Sequence, residues 1–547
     1  MSDAFTIKAA AAEAPVEPVA GEAPPVAAPQ RGETGVTIAR NSLWMIFDSV
    51  VGMGATLYVS IIMARKMGPD FMGRYNYILY FATFLRTVTE VAIPATVRKF
   101  AAEFSGRGDF SLVKTIVSRA LRLQSKVLVV GVGVGLTVVF TTFPHDQRIV
   151  ATIVVLSIVP GLLLSIPTGA LWATENLRHN VVSSLVGTFV NMAGVTASVF
   201  LGWGMLGIVS ALLMSRIVDC VLRFAIFRKL YARLPGQAQP ALEPVVRARM
   251  IRFAAQQLVL ALLYSLLFDR TEVFFLHRYS TPREIAFFSI TFTLVQYMLF
   301  IPQNLAGSAS VSMWVQQGRS PKDAARTAAT ATWFIMILAA PELLGVAAIS
   351  DPLLRVMYGA KYLPAIPVLA TLCVFALSLT ISQPAQYMLV GAERQRFFLL
   401  WMCLAGTVDV IANVLLIPHF GALGAAYAKG TSELIASLGF IVYLVSIFRA
   451  HLPLWRMFRL LVASVVMFAV VRVVGRHLPP LLALVLGIPL GALVFFVFVR
   501  LLRCLDRTDG DRLRQLKRVV PSLLQGPYMR LVSLLVVGSG DGALQHG

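Results

Sequence analysis

Apolar stretches of about 20 residues, long enough to cross roughly 30 Å of hydrocarbon as helices, recur along the whole chain. Six lie near 43–64, 75–97, 122–143, 149–173, 181–203 and 205–227. Six more lie near 253–276, 285–307, 328–350, 364–390, 397–418 and 422–447, and two follow near 457–475 and 480–502. The pattern predicts an all-α membrane protein of about fourteen spans. Short turns at Gly204 and Gly421 separate adjoining spans.

The first two sets of six repeat one another. Pro69 and Tyr75 return as Pro282 and Phe288 at an offset of about 213. In the same order, Ile93-Pro94 returns as Ile301-Pro302, and Ser165, Pro167, Glu175 and Arg178 return as Ser382, Pro384, Glu393 and Arg396. GMLGIVSA from Gly204 returns as GALGAAYA from Gly421. An even number of spans per repeat gives both copies the same membrane orientation. Two parallel six-helix lobes around a central cleft are therefore expected, with the last two helices appended. The expected division is a cytoplasmic disordered tail over 1–40, a first lobe over 41–230, a cytoplasmic linker over 231–252 and a second lobe over 253–450. The extra helix pair then covers 451–503, and a basic cytoplasmic tail covers 504–547, with an interfacial helix around Tyr528 to Val537.

Composition agrees with a polytopic membrane protein: 57% of residues are hydrophobic and 14% charged. Placing the N-terminus in the cytoplasm gives inside loops about twice the Lys and Arg of outside loops, the sense of the positive-inside rule. Both termini then face the cytoplasm. The net charge of +21 suits loops facing anionic membrane lipid, and nucleic acid is not expected as a partner. The first 40 residues are Ala- and Pro-rich and lack a basic stretch leading into an apolar core, as expected of a tail rather than a cleaved signal.

Four dispersed cysteines and seven scattered histidines have no metal-ligand spacing, so no metal site is expected. No Gly-rich phosphate loop followed by Lys appears, so neither a nucleotide nor another cofactor is expected.

Charges within spans are the chemical signal, because each is costly unless it faces a cavity or a partner. Arg86 falls near the middle of the second span, with Glu90 one turn further on the same face. The two form either a cavity-facing site or a helix-locking pair. In the seventh span Asp269 and Glu272 share a face while Arg270 is turned away, and interfacial snorkelling is the alternative to a site. Asp48, the Arg216/Asp219 group and the i,i+4 pair Lys429/Glu433 complete the set, the last with a structural reading open. Pro94, Pro160, Pro167, Pro302 and Pro384 predict bent helices.

Three stretches carry a resemblance: MARKMGPDFMGRYNYILYFATFL after the first span, LLRVMYGAKYLPAIPVLATLC before the tenth, and IPHFGALGAAYAKGTSE at the twelfth. Over about 38–505 the chain resembles the Wzx-type polysaccharide and O-antigen flippases of the multidrug/oligosaccharidyl-lipid/polysaccharide (MOP) exporter superfamily. The resemblance implies V-shaped lobes and alternating access. The cargo implied is a polyprenyl-diphosphate-linked oligosaccharide for lipopolysaccharide, O-antigen or exopolysaccharide, moved across the inner membrane. A polysaccharide polymerase and chain-length machinery are the implied partners.

On that reading Arg86 and Arg270 are the substrate-binding candidates, since a diphosphate and its sugars need replacement for lost water. Glu90, Asp269, Glu272 and Asp48 are candidates for ion coupling or charge pairing. Two alternatives share the fold: a drug/cation antiporter and a peptidoglycan-precursor flippase. A membrane polymerase or ligase acting outside would need a sizeable external loop with acid/base groups, whereas the longest connections, near 98–121 and 228–252, fall inside. A transporter rather than an enzyme is therefore expected.

Overall fold

The structure, a computed structural model, describes residues 31–515 and 522–535 apart from residues 91, 174–176, 234–242, 269–270, 318–319 and 393. All regular elements among the described residues are helices. The first lobe comprises α1 (Arg31–Met67), α2 (Pro69–Glu90), α3 (Ile93–Gly106), α4 (Phe110–Thr142), α5 (His145–Leu156), α6 (Ile158–Ala173), α7 (Leu177–Phe200) and α8 (Gly204–Arg233). The second comprises α9 (Pro244–Phe268), α10 (Glu272–Tyr279), α11 (Pro282–Gln317), α12 (Pro321–Ala348), α13 (Ser350–Tyr358), α14 (Ile366–Gly391) and α15 (Gln395–Ser446). The chain continues through α16 (Leu454–Gly475), α17 (Pro480–Leu501), α18 (Arg507–Gln515) and α19 (Ser522–Leu535).

Among the described residues eleven helices are long and apolar enough to cross a membrane, or twelve if α2 and α3 form one broken span. One of these is double. At 52 residues α15 would run about 78 Å if straight, more than twice the hydrocarbon thickness. It breaks at Gly421, whose backbone (φ 54°, ψ −128°) lies where a side chain would be strained. With α9 and α10 as one further span, the total agrees with about fourteen. The repeat equivalent of Gly421, Gly204, likewise has φ 61° and opens α8.

Local breaks follow the prolines unevenly. The second span, expected to be continuous over 75–97, divides into α2 and α3, with Pro94 in the first turn of α3 and Ala92 at φ 54°. Proline lacks the backbone donor and disfavours helical geometry in the residue before it. Its counterpart Pro302 lies inside the unbroken α11. Pro167 and Pro384 lie inside α6 and α14, in the fourth span of each lobe. At the termini, α1 begins at Arg31, within the stretch expected as tail, and α19 covers the expected interfacial helix from Tyr528 as far as Leu535. Residues 1–30 and Val537 lie outside the described residues.

Equivalent positions of the two repeats meet at one end of the bundle. Asp70 and Arg283, 213 residues apart, form a salt bridge at 2.8 Å. A Cβ on Gly73 would overlap the Pro282 carbonyl, so glycine is what allows α2 and α11 to cross there. Tyr77 stacks on His277 with ring centroids 3.6 Å apart, and the Arg65 Nε donates to the Met357 carbonyl at 2.8 Å. From this end α11 is buried nearly throughout Ile285–Val295, whereas Ile301, Leu305, Val311 and Trp314 are exposed. Phe84 and Val88, late in α2, are exposed as well. The lobes are clamped at the Pro69/Pro282 end, and toward the other end α9 meets α3, with Arg249 Nη2 2.8 Å from Glu103 and the Lys99 ammonium 4.0 Å from the Phe253 ring.

The appended helices pack onto the second lobe. Met457, Leu460, Met467, Val471 and Phe495 of α16 and α17 bury against Trp333, Met336 and Ala340 of α12. Large exposed apolar side chains such as Leu43, Val129, Leu400 and Val485 belong on a lipid-facing surface, where a bilayer replaces water.

Replacing Gly73 with Val should push α2 and α11 apart at the clamp and destabilise the protein by about 1–3 kcal/mol through overpacking. Thermal unfolding in detergent should show a lower melting temperature than the wild type. An unchanged melting curve would mean the crossing is not tight in solution.

Candidate functional site

The first lobe holds a cavity of about 420 Å³ that receives charged groups from three helices. α2 contributes Arg86 and Glu90, α3 Arg98, and α8 Arg216, Asp219 and Arg223. α6, with Ser165 and Thr168, and Ser184 of α7 complete its polar wall. A smaller cavity of about 140 Å³ adjoins it through Ser184, Arg216 and Asp219 and adds Thr188 and Asn191.

Spacing on α8 explains the grouping. Arg216, Asp219 and Arg223 follow at i, i+3 and i+7, which puts them on one helix face. Arg223 donates through Nη2 to both Asp219 oxygens at 2.7 and 2.9 Å, and its side chain is only 11% exposed. This pair is consolidated by a third charged hydrogen bond, from Arg223 Nε to Asp219 Oδ1 at 3.2 Å. Arg86 and Glu90 approach to 3.7 Å, a looser contact between partly exposed groups. Arg216 makes no salt bridge with any described carboxylate, although its charge interacts with Arg86, Asp219 and Arg223. Asp48 of α1 lies beside Ser184 and within electrostatic reach of Arg223 and Asp219.

Four arginines against the two carboxylates Glu90 and Asp219 leave the cavity wall with a surplus of positive charge. In a low-dielectric surround such a surplus attracts an anion, and guanidinium groups match phosphate oxygens with paired donors.

The second lobe has a different polar centre. Lys429 of α15 is 1% exposed and forms a salt bridge at 3.4 Å with Glu272 of α10, which is fully buried. Asp409 and Glu433, also buried, lie within interaction range of the same ammonium. Asn413 Nδ2 and Ser432 Oγ each donate to Asp409 at 3.0 Å. The Phe292 ring stands 5.5 Å from the Lys429 ammonium. One lysine thus answers three carboxylates inside the lobe, the reverse of the charge balance in the first lobe.

The sequence-expected residues therefore divide. Arg86, Glu90 and Asp48 gather with Arg216 and Asp219 in the first-lobe region. Glu272 is not interfacial but sits at the core of the second lobe, and its partner is Lys429, which was expected to pair with Glu433. Asp269 and Arg270 lie outside the described residues. Arg98, assigned to an inside loop, lines the cavity instead because the break before α3 turns that helix alongside α6. Arg223 and Asp409 were not singled out. Their helical spacing from Asp219 and from Asn413 was the available signal. Among the described residues no group of His, Cys, Asp and Glu is arranged to hold a metal ion.

This is the two-lobed helical fold of the MOP exporter superfamily. "Lipid II flippase MurJ, inward closed conformation" aligns with a TM-score of 0.67 at 15% identity, over 85% of this chain and 98% of that one. An inward-facing multidrug resistance MATE family transporter aligns with a TM-score of 0.63 at 14% identity, over 72% of this chain and 95% of its own. A MOP superfamily transporter from Pyrococcus furiosus, described as having a binding pocket of reverse polarity, aligns at 0.53 and 15% identity, over 76% and 96%. No curated protein matches the chain in sequence. Residues 38–313 match the polysaccharide biosynthesis protein family, and the chain belongs to that family.

Proposed function

We propose that the protein moves a polyprenyl-diphosphate-linked oligosaccharide across the cytoplasmic membrane by alternating access of its two lobes. The observation that carries this reading is the positive surplus of the first-lobe cavity, with Arg216 in no salt bridge with a described carboxylate and Arg86 only loosely held by Glu90. A diphosphate carries negative charge and its sugars carry hydroxyls, all of which lose water on entering the bilayer. Arg86, Arg98 and Arg216 replace that water for the diphosphate while the polyprenyl tail remains in lipid. Arg270, in the seventh span, is a further candidate for the same anion. Membership in a polysaccharide biosynthesis family supports an oligosaccharide cargo.

The positive-inside rule puts both termini in the cytoplasm. The clamped Pro69/Pro282 end then faces outward, and the contact of α3 with α9 at the cytoplasmic end, including the Glu103–Arg249 salt bridge, opens to receive the newly assembled lipid-linked sugar. Asp48 and Glu90 compete with the anionic cargo for the cavity arginines, and Glu272 belongs to the second-lobe centre, where a change of its ion pair accompanies lobe movement. The same cavity also suits the lipid-linked precursor of peptidoglycan, as the likeness to a lipid II flippase favours. A cationic drug fits it poorly, because the arginines outnumber the carboxylates.

Deleting the gene tests the reading. Lipid-linked oligosaccharide should accumulate with its sugars facing the cytoplasm, protected in intact cells from an impermeant sugar-oxidising probe. Glycan appearing outside at the normal rate, with no second exporter present, would refute it.

A further inference from the structure

At one end of the bundle a cavity of about 810 Å³ lies between the start of α12, the turn joining α15 to α16, and α18. Its position at the ends of three spans puts it where the bilayer meets water. Five cationic residues line it: Lys322, Arg326, Arg449, Arg456 and Arg512, against only Asp323 and Asp509. Arg456 is committed, with contacts of 2.6 Å to Asp506 and 2.8 Å to Asp509. Lys322, Arg326 and Arg449 are exposed and form no salt bridge with a described carboxylate. A second, independent observation comes from the apolar side. Trp333 also lines the cavity and is 2% exposed, with the Arg456 guanidinium 5.1 Å from its ring, yet its indole Nε1 has no hydrogen-bond partner. A buried donor without an acceptor is costly, and native interiors seldom leave one.

We propose that this cavity binds a phosphate group at the membrane surface, as carried by the headgroup of an anionic phospholipid. Its oxygens meet Arg326, Arg449 and Lys322, and the headgroup reaches toward Trp333 to supply the missing acceptor. A headgroup phosphate is held at the interface by its own acyl chains, beside exposed cations that attract it. Bound there, it bridges α12 to the turn after α15 and to α18, where Arg512 already reaches Thr330 at 3.5 Å. The site is separate from the first-lobe cavity and does not depend on what that cavity carries.

The test uses the purified full-length protein, with phosphatidylglycerol and phosphatidylcholine as competing lipid probes in one arm and inorganic phosphate in the other. Native mass spectrometry should show phosphatidylglycerol retained in preference to phosphatidylcholine. The double variant Arg326→Gln with Arg449→Gln should weaken that retention by about tenfold or more. Neither side chain is engaged in a salt bridge, so the variant should elute and melt as the wild type does. Trp333→Phe, which keeps the ring and removes the donor, should weaken retention by a smaller factor. Variant-sensitive binding of inorganic phosphate without lipid preference would support the phosphate site and assign it a soluble source. Equal retention of the two lipids together with no phosphate binding, or a double variant that binds as the wild type does, would overturn it.

Discussion

Arg216→Ala should reduce glycan export by roughly 10- to 150-fold while leaving the amount of protein in the membrane unchanged. The size follows from one charged hydrogen bond to a phosphate, about 1.5–3 kcal/mol. The unchanged protein level follows from geometry: Arg216 faces the cavity and forms no salt bridge with a described carboxylate that its loss would break. Arg86→Ala should act in the same direction. It also frees Glu90, but that carboxylate is 30% exposed and can be solvated, so the fold should survive. Arg86→Lys should retain part of the activity, because a lysine keeps the charge and loses the paired donors. Export per cell, measured beside protein level by immunoblot, separates the cases. Loss of the protein itself in Arg86→Ala would make Arg86 and Glu90 a helix-locking pair.

Lys429→Met should have the opposite profile, with the protein unstable whatever it carries. The substitution leaves Glu272, Asp409 and Glu433 buried around an apolar side chain. Removing one member of a buried ion pair costs about 3–5 kcal/mol, most of it from the charge left behind. Little folded protein should be recovered from the membrane, and what is recovered should melt early. Adding Glu272→Gln to Lys429→Met should restore part of the loss by removing the closest orphaned carboxylate. A double variant no more stable than Lys429→Met would show that the 3.4 Å contact between Lys429 and Glu272 contributes little to the lobe.

The two lobes were legible in the sequence because apolar windows and repeated prolines and glycines are local signals. The Pro69/Pro282 equivalence marked α2 and α11 as counterparts, but not that they meet or that Asp70 and Arg283 bind one another across the lobes. The first-lobe cavity was partly legible for the same reason: Arg86 and Glu90 stand out as charges inside an apolar window. Arg98 did not stand out, since only the break at α3 separates a loop cation from a cavity cation. Arg223 falls close to the end of its apolar window, where an arginine ordinarily snorkels to water. The second-lobe centre was the least legible. Glu272 and Lys429 are distant in sequence, and one helical turn made Glu433 the nearer candidate for Lys429. Which partner a buried lysine takes is decided by how α10 packs on α15, a tertiary fact that helical spacing does not contain.

The central claim, that the first-lobe cavity carries a lipid-linked oligosaccharide across the bilayer, is tested most directly by reconstitution. Purified protein is placed in liposomes whose outer leaflet contains a polyprenyl-diphosphate oligosaccharide with a fluorescent sugar, and a membrane-impermeant quencher reports how much label remains outside. Wild-type protein should carry label into the protected leaflet, and Arg216→Ala protein at equal density should leave most of it exposed. Protection no faster than in protein-free liposomes, or equally fast with Arg216→Ala, would contradict the account.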